Sequence, residues 1–195
     1  MKEDKEAKLT SSFDSSDEDD KQEEDRSPLK IAWFDQSDAD EVFGICALPE
    51  CLRTEEVKDI FCLCSKGELN KYRVPDLLTS LAEADITVHH YHFPDGETPP
   101  TQLLISMLDE LKVAMKNKRK PVVHCYGGLG RSCLVASCLL MILDTDFTPE
   151  EAISKMKEMR GPRAVQSVRR MREGVMRDIE RQAQRKNTIT KDVDS

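Results

Sequence analysis

The strongest constraint on this chain is a glycine-rich turn with no spacer on either side. It reads His124-Cys125-Tyr126-Gly127-Gly128-Leu129-Gly130-Arg131-Ser132. A short apolar run at 121–124 enters it, and a long apolar run at 131–143 leaves it. The first has the length of a buried strand, the second that of a buried helix. Further strand-like runs lie at 31–34, 42–48, 59–64 and 86–93. Helical patterns separate them. Pro75 opens one whose apolar face is Leu77, Leu78, Leu81 and Ala82. Thr98-Pro99-Pro100 starts a second, with Leu104, Met107, Leu108, Leu111 and Met115 on one side. Thr148-Pro149-Glu150-Glu151 combines a cap, an N1 proline and first-turn acids, and that helix stops near Gly161-Pro162. A last helix is expected from about Arg163, with Val168, Met171, Val175 and Ile179 inward. Strands alternating with helices predict an α/β fold with a mainly parallel central sheet flanked by helices. Ligands bind such sheets beyond the carboxyl ends of the strands, which points to the loop after residue 124.

That loop has the chemistry of an anion site. Gly127, Gly128 and Gly130 let backbone N–H groups turn inward without Cβ clashes. Together with the N–H groups of Tyr126, Leu129 and Arg131 and the helix N-terminus, they form a cradle for phosphate. Arg131 can fork onto two phosphate oxygens. Cys125 lies at the base of the cradle, next to His124. A helix N-terminus and an adjacent cation convert a thiol of this kind into thiolate. Facing a bound phosphorus atom, it becomes a nucleophile for in-line attack, with the N–H ring and Arg131 stabilising the transferred group. Such chemistry needs a proton donor for the leaving oxygen. Asp95, in Phe93-Pro94-Asp95-Gly96-Glu97, follows a strand and belongs at the same end of the sheet. Glu97 is the rival donor.

Composition sets the boundaries. Residues 1–27 hold eleven acids and five bases, most of the net charge of −8. They have too few apolar groups to offset their ordering entropy and read as a disordered acidic tail. Ser15, Ser16 and Ser27 are candidate phosphorylation sites within it. The catalytic domain is expected over 28–185, followed by a short tail at 186–195. No apolar run is long enough for a membrane span, and no targeting or lipidation signal is visible. A pI of about 5.1 argues against general nucleic-acid binding. The near-neutral balance of the chain after residue 27 disfavours an RNA triphosphatase, which would want a wide basic rim. The expectation is a cytoplasmic protein with seven reduced cysteines. Cys62, Cys64, Cys133 and Cys138 read as core. Cys62 or Cys64 acting as a resolving thiol for Cys125 is a second reading. His89, His90 and His92 lack an evident third ligand partner, so no metal is expected.

The stretch His-Cys-x-x-Gly-x-x-Arg-Ser, present at 124–132, resembles the signature of the cysteine-dependent dual-specificity protein phosphatases. The likeness extends through Cys46-Ala47-Leu48-Pro49, Gly67-Glu68-Leu69-Asn70-Lys71-Tyr72-Arg73-Val74-Pro75, Asp95-Gly96-x-Thr98-Pro99 and Phe13-Asp14-Ser15-Ser16-Asp17-Glu18. It is strongest for members that act on cyclin-dependent kinases. The resemblance implies Cys125 as nucleophile, Arg131 as phosphate clamp, Asp95 as general acid and Ser132 as an aid to thiolate departure. It implies phosphothreonine of a kinase activation loop as substrate, in the cyclin-free kinase, with phosphotyrosine and phosphoserine also accepted. A monomer without cofactor, cytoplasmic or perinuclear, completes the expectation. A kinase-binding inhibitor or phospho-binding module with weak catalysis is the alternative. In two places the chain departs from the pattern. Only about ten residues, 49–58, stand where such proteins place a helix of several turns. In the segment 164–171, Gln166 matches a water-orienting glutamine, but Arg170 stands where a second is usual.

Overall fold

The computed structural model describes residues 30–36, 41–49, 56–144, 146–165, 179 and 181. The expected tails at 1–27 and 186–195, the body of the last helix, Gln166 and Arg170 lie outside the described residues.

The sheet is built from β1 Ala32–Gln36, β2 Glu41–Cys46, β3 Asp59–Cys62, β4 Thr87–His90 and β5 Val122–His124, in the order β1-β2-β5-β3-β4. Only the β1–β2 pair is antiparallel. The central strand is therefore β5, the shortest, flanked by β2 and β3. Its register aligns His124 with Cys46 on one side and Cys62 on the other. Three strand ends thus lie level, and the loop after His124 emerges between them.

Alternation along the strands sorts the side chains onto two faces. Ile45, Phe61 and Val123 share a core with α3 Thr101–Lys116, α4 Arg131–Leu143 and α5 Pro149–Arg160. Every residue of α4 from Arg131 to Met141 is buried, so this helix is enclosed on all sides. On the opposite face, Ile60 and Cys62 pack against α1 Lys66–Lys71 and α2 Leu77–Glu83. Farther along that face, Cys46, Val57 and Val122 are buried under Ile31 and Trp33, both half-buried.

The mainly parallel sheet flanked by helices is present as expected, with differences in the elements. Strand β4 ends at His90, so the run at 86–93 is only partly strand. Its one partner, β3, ends at Cys62. Helix α2 begins after Asp76, and Pro75 sits in the preceding turn. The six-residue α1 was not foreseen, being too short for an apolar period to register. Residues 162–165 form a turn, and Val165 has φ +64°, so no helix starts at Arg163.

Candidate active site

The phosphate-loop geometry follows from where its carbonyls are tied. A peptide unit is planar and trans, so a carbonyl held on one side turns the next N–H to the other. Leu48 N–H donates to the Tyr126 carbonyl (2.8 Å), Val165 N–H to Leu129 (2.7 Å) and Leu134 N–H to Gly130 (3.0 Å). The Cys133 thiol donates to Gly128 (3.4 Å). With these carbonyls bound from outside, the N–H groups of Gly127, Leu129, Gly130 and Arg131 face the inner side of the turn. Val165 occupies the left-handed region, a strained conformation for a β-branched residue, while making its bond. Gly128 also has positive φ (+64°), and a Cβ there would lie 2.7 Å from the backbone at Cys46 and Ala47. Only glycine fits this position.

Cys125 lies at the base of this ring, 3% exposed, with its Sγ 3.4 Å from Ser132 Oγ. Next to it, Tyr126 is 41% exposed and stacks on Tyr72 with ring centroids 3.8 Å apart. His124 is fully buried, and neither ring nitrogen completes a hydrogen bond. Burial pushes the thiols of Cys46, Cys133 and Cys138 up to about 12, so they remain neutral near pH 7. Cys62 and Cys64 are fully buried, and Cys64 lies 4.0 Å from Arg131 Nη2.

Arg131 differs most from expectation. Its fork engages Glu68, with Nη2 to Oε1 at 2.6 Å and Nη1 to Oε2 at 3.1 Å. Nη1 also donates to the carbonyls of Leu63 and Phe93, both at 2.9 Å. Nε alone is left buried without a hydrogen bond, 3.4 Å from Asp95 Oδ1. The guanidinium is thus anchored by both terminal nitrogens, which leaves Nε, beside Asp95, as the N–H without a hydrogen bond. Burial lowers the Arg131 pKa, but the Glu68 hydrogen bond together with the neighbouring Cys64, Cys125 and Glu68 outweighs it and raises it. Burial likewise acts to raise the Glu68 carboxyl, yet hydrogen bonds from Arg131 and the Ser65 backbone hold it below the usual range.

Asp95 reaches the site from the turn after β4. Its carboxylate is 62% exposed, and its Oδ1 accepts from Gly96 N–H at 3.1 Å. The neighbouring Glu97 is exposed. Of the three histidines, His89 bridges Asp59 and Glu110, both at 2.8 Å, and His90 bonds the Cys64 carbonyl. Among the described residues, no group of three or more His, Cys, Asp or Glu could hold a metal ion.

Residues 1–153 match the family of cyclin-dependent kinase inhibitor 3. The cyclin-dependent kinase inhibitor 3 of Homo sapiens is 42% identical over 177 residues, covering 82% of this chain and 83% of that protein. That of Rattus norvegicus is 40% identical over 176 residues, covering 82% of each. The chain belongs to the cyclin-dependent kinase inhibitor 3 family. Among solved structures, kinase-associated phosphatase with its catalytic-site cysteine replaced by serine matches at a TM-score of 0.74 and 35% identity. It covers 81% of this chain and 97% of that one. The family resemblance read in the sequence is therefore correct, and the chain is a cysteine-dependent protein phosphatase by family and fold.

For this member of the cyclin-dependent kinase inhibitor 3 family, sequence reasoning missed the groups that hold the loop from outside. Glu68 had a local signal. Ser65 and Glu68 form a capping box at the start of α1, and the same carboxylate that caps Ser65 N–H receives Arg131. The carbonyls of Leu63 and Phe93 and the N–H groups of Leu48 and Val165 had none, because main-chain groups leave no mark in residue type.

Proposed function

We propose that this chain hydrolyses phosphothreonine in the activation loop of a cyclin-dependent kinase through a phosphocysteine intermediate, and accepts phosphotyrosine and phosphoserine as well. The observation that carries the reading is Cys125 at the base of a ring of inward amides, with Ser132 on one side and the Arg131–Asp95 pair on the other. Cys125 is the residue we assign to the role that the solved kinase-associated phosphatase gives its catalytic-site cysteine.

In the first step the Cys125 thiolate attacks phosphorus and the bond from phosphorus to the threonine oxygen breaks. The Asp95 carboxyl gives its proton to that oxygen, and the phosphoryl group remains on sulfur. The ring amides and Arg131 Nε bind the three phosphoryl oxygens throughout. In the second step Asp95, now a carboxylate, takes a proton from water as that water attacks phosphorus. The bond from phosphorus to sulfur breaks, and Ser132 Oγ donates a hydrogen bond to the departing sulfur. Inorganic phosphate leaves. A shallow loop of this kind does not distinguish one phosphoprotein from another, so contacts with the kinase away from the loop supply the choice. The names of the relatives support a kinase as that partner.

The test is incubation with an activation-loop-phosphorylated cyclin-dependent kinase, wild type beside Cys125→Ser and Asp95→Asn. Wild type should release phosphate, Cys125→Ser none, and Asp95→Asn about 10²–10⁴-fold more slowly. Phosphate release by Cys125→Ser at the wild-type rate would end the reading. If Cys125→Ser instead blocks the kinase as well as wild type does, binding rather than hydrolysis is the activity.

A further inference from the structure

Arg160, the last residue of α5, takes no part in the mechanism above, yet its side chain ends beneath the phosphate loop. Nε donates to the Gly128 carbonyl at 3.2 Å and Nη1 to the Lys30 carbonyl at 3.3 Å. A Cβ on Gly128 would lie 2.6 Å from Nη2, so the guanidinium rests against the glycine itself. Among the described residues no carboxylate pairs with Arg160. Among those residues this half-buried cation is therefore held by main-chain carbonyls, under a loop that reads as an anion site.

We propose that Arg160 is a positioning residue of the phosphate cradle: by holding the Gly128 carbonyl on the outer side of the loop, it keeps the Leu129 N–H turned toward the bound oxyanion. The inference rests on the reading of this loop as a phosphate site and adds what fixes its Gly128 peptide. The other tied carbonyls bond backbone N–H groups of β-end, turn or helix. Gly128 has positive φ and no side chain, so no side-chain packing of its own holds its peptide. Among the described residues, its carbonyl has besides Arg160 the Cys133 thiol, a weak donor. Should this peptide turn over, the cradle loses an N–H and gains a carbonyl oxygen, which repels phosphate. The cation acts in the same direction, drawing the carbonyl outward and favouring anionic charge above the loop. Because Arg160 also ties Lys30, it couples the entry to β1 to the loop.

Binding of tungstate, a phosphate-like oxyanion, tests this on the full chain together with kcat and KM for a small aryl phosphate. Arg160→Met keeps the apolar stem and removes the donors and charge; Arg160→Lys keeps the charge and one donor direction. Arg160→Met should weaken tungstate binding about tenfold or more and lower kcat/KM by a similar factor, with Arg160→Lys recovering part of both. In 15N-leucine-labelled protein, the Leu129 amide should shift on tungstate addition in wild type and less in Arg160→Met. A merely structural arginine would lower the melting temperature but leave the tungstate affinity of the folded protein unchanged. Wild-type tungstate affinity in folded Arg160→Met, or in folded Arg160→Lys where Arg160→Met does not fold, together with an unchanged Leu129 response, overturns the proposal alone. Failure of the wild type itself to bind tungstate overturns the phosphate-site reading and this inference with it.

Discussion

Arg131 directs most of its N–H groups at the protein itself, and that has consequences at the level of single residues. Glu68 engages both terminal nitrogens and so fixes the plane of the guanidinium, leaving Nε beside Asp95. Glu68→Gln keeps the shape but loses one acceptor and the charge; a hydrogen bond to a charged group is worth about 1.5–3 kcal/mol. A fall of about tenfold or more in kcat/KM on an aryl phosphate is expected, and an unchanged value would show that Arg131 is held without it. The pH dependence has a definite sign. The folded Glu68 carboxyl lies below its ordinary value, so its stabilisation is complete above an unfolded pKa of about 4.3 and is lost as pH falls through the lower folded value. The stability difference between wild type and Glu68→Gln should hold steady above about pH 5 and shrink in acid, as followed by denaturant midpoints. The thiols give a second test. Cys46, Cys133 and Cys138 stay neutral near pH 7. Brief iodoacetamide treatment should therefore leave all three unmodified while Cys125 reacts; peptide mass spectrometry showing label on any of the three contradicts this. At this scale Cys125, Arg131 and Asp95 could be singled out as candidates because the proposed chemistry requires particular residue types, and the fold brings Asp95 to Arg131. The Arg131 fork was assigned to phosphate because its competitor, Glu68, is sixty-three positions away and meets it only in the fold.

Elements with strong local signals were the ones read correctly. Helix α4 begins at Arg131 and ends at Leu143, the limits of its apolar run. Helix α5 begins after Thr148, whose side chain accepts from Glu151 N–H while the Glu151 carboxylate receives Thr148 N–H. Thr148→Ala should cost about 1 kcal/mol, or about 2–4 °C in melting temperature. Since α5 carries Arg160 at its far end, catalysis should hardly change. A large loss of activity at an unchanged melt would mean that the cap, rather than the body of the helix, sets the position of Arg160. Strand β2 offers a test of packing. A Cβ on Gly44 would lie 2.5 Å from Ile31 Cγ2 and 3.0 Å from the Trp33 ring. Gly44→Ala should destabilise by about 1–3 kcal/mol, the range for overfilling a packed site, as measured by urea unfolding. Boundaries failed where long-range pairing decides them. The run at 86–93 has strand-forming residues throughout, but β4 lasts only as long as β3 is there to pair with it. The turn at 162–165 is set by the Val165–Leu129 bond, which no local pattern around Arg163 encodes.

At the scale of the molecule, alternating strands and helices were enough to predict a parallel sheet. They could not place β5 at its centre or reverse β1, because strand order depends on pairings between distant segments. The connection between β2 and β3 belongs to the same level. Both strands run parallel to β5, which lies between them, so residues 47–58 must carry the chain back along the sheet to begin β3 in the same direction. Alternation assigns Cys46 and Val122 to the face opposite α3, α4 and α5, and Val57 is buried there with them. Over that patch the other described apolar cover is Ile31 and Trp33, each half-buried, whereas the rest of the face lies under α1 and α2. Fully burying one large apolar side chain is worth about 1.5–3 kcal/mol, so two half-covered ones leave about 1.5–3 kcal/mol unrealised. For a domain of this size that corresponds to a melting temperature lower by about 3–12 °C than that of a relative carrying a helix of several turns at this point. Calorimetry on the two proteins side by side, with Trp33 emission and iodide quenching as a local probe, measures both the deficit and its location. A lower melt with a quenchable Trp33 places the deficit on this face. An equal melt with Trp33 shielded would mean that the twelve-residue connection covers the patch as well as a helix does, and the active site, across the sheet end from it, should turn over at the same rate in either case.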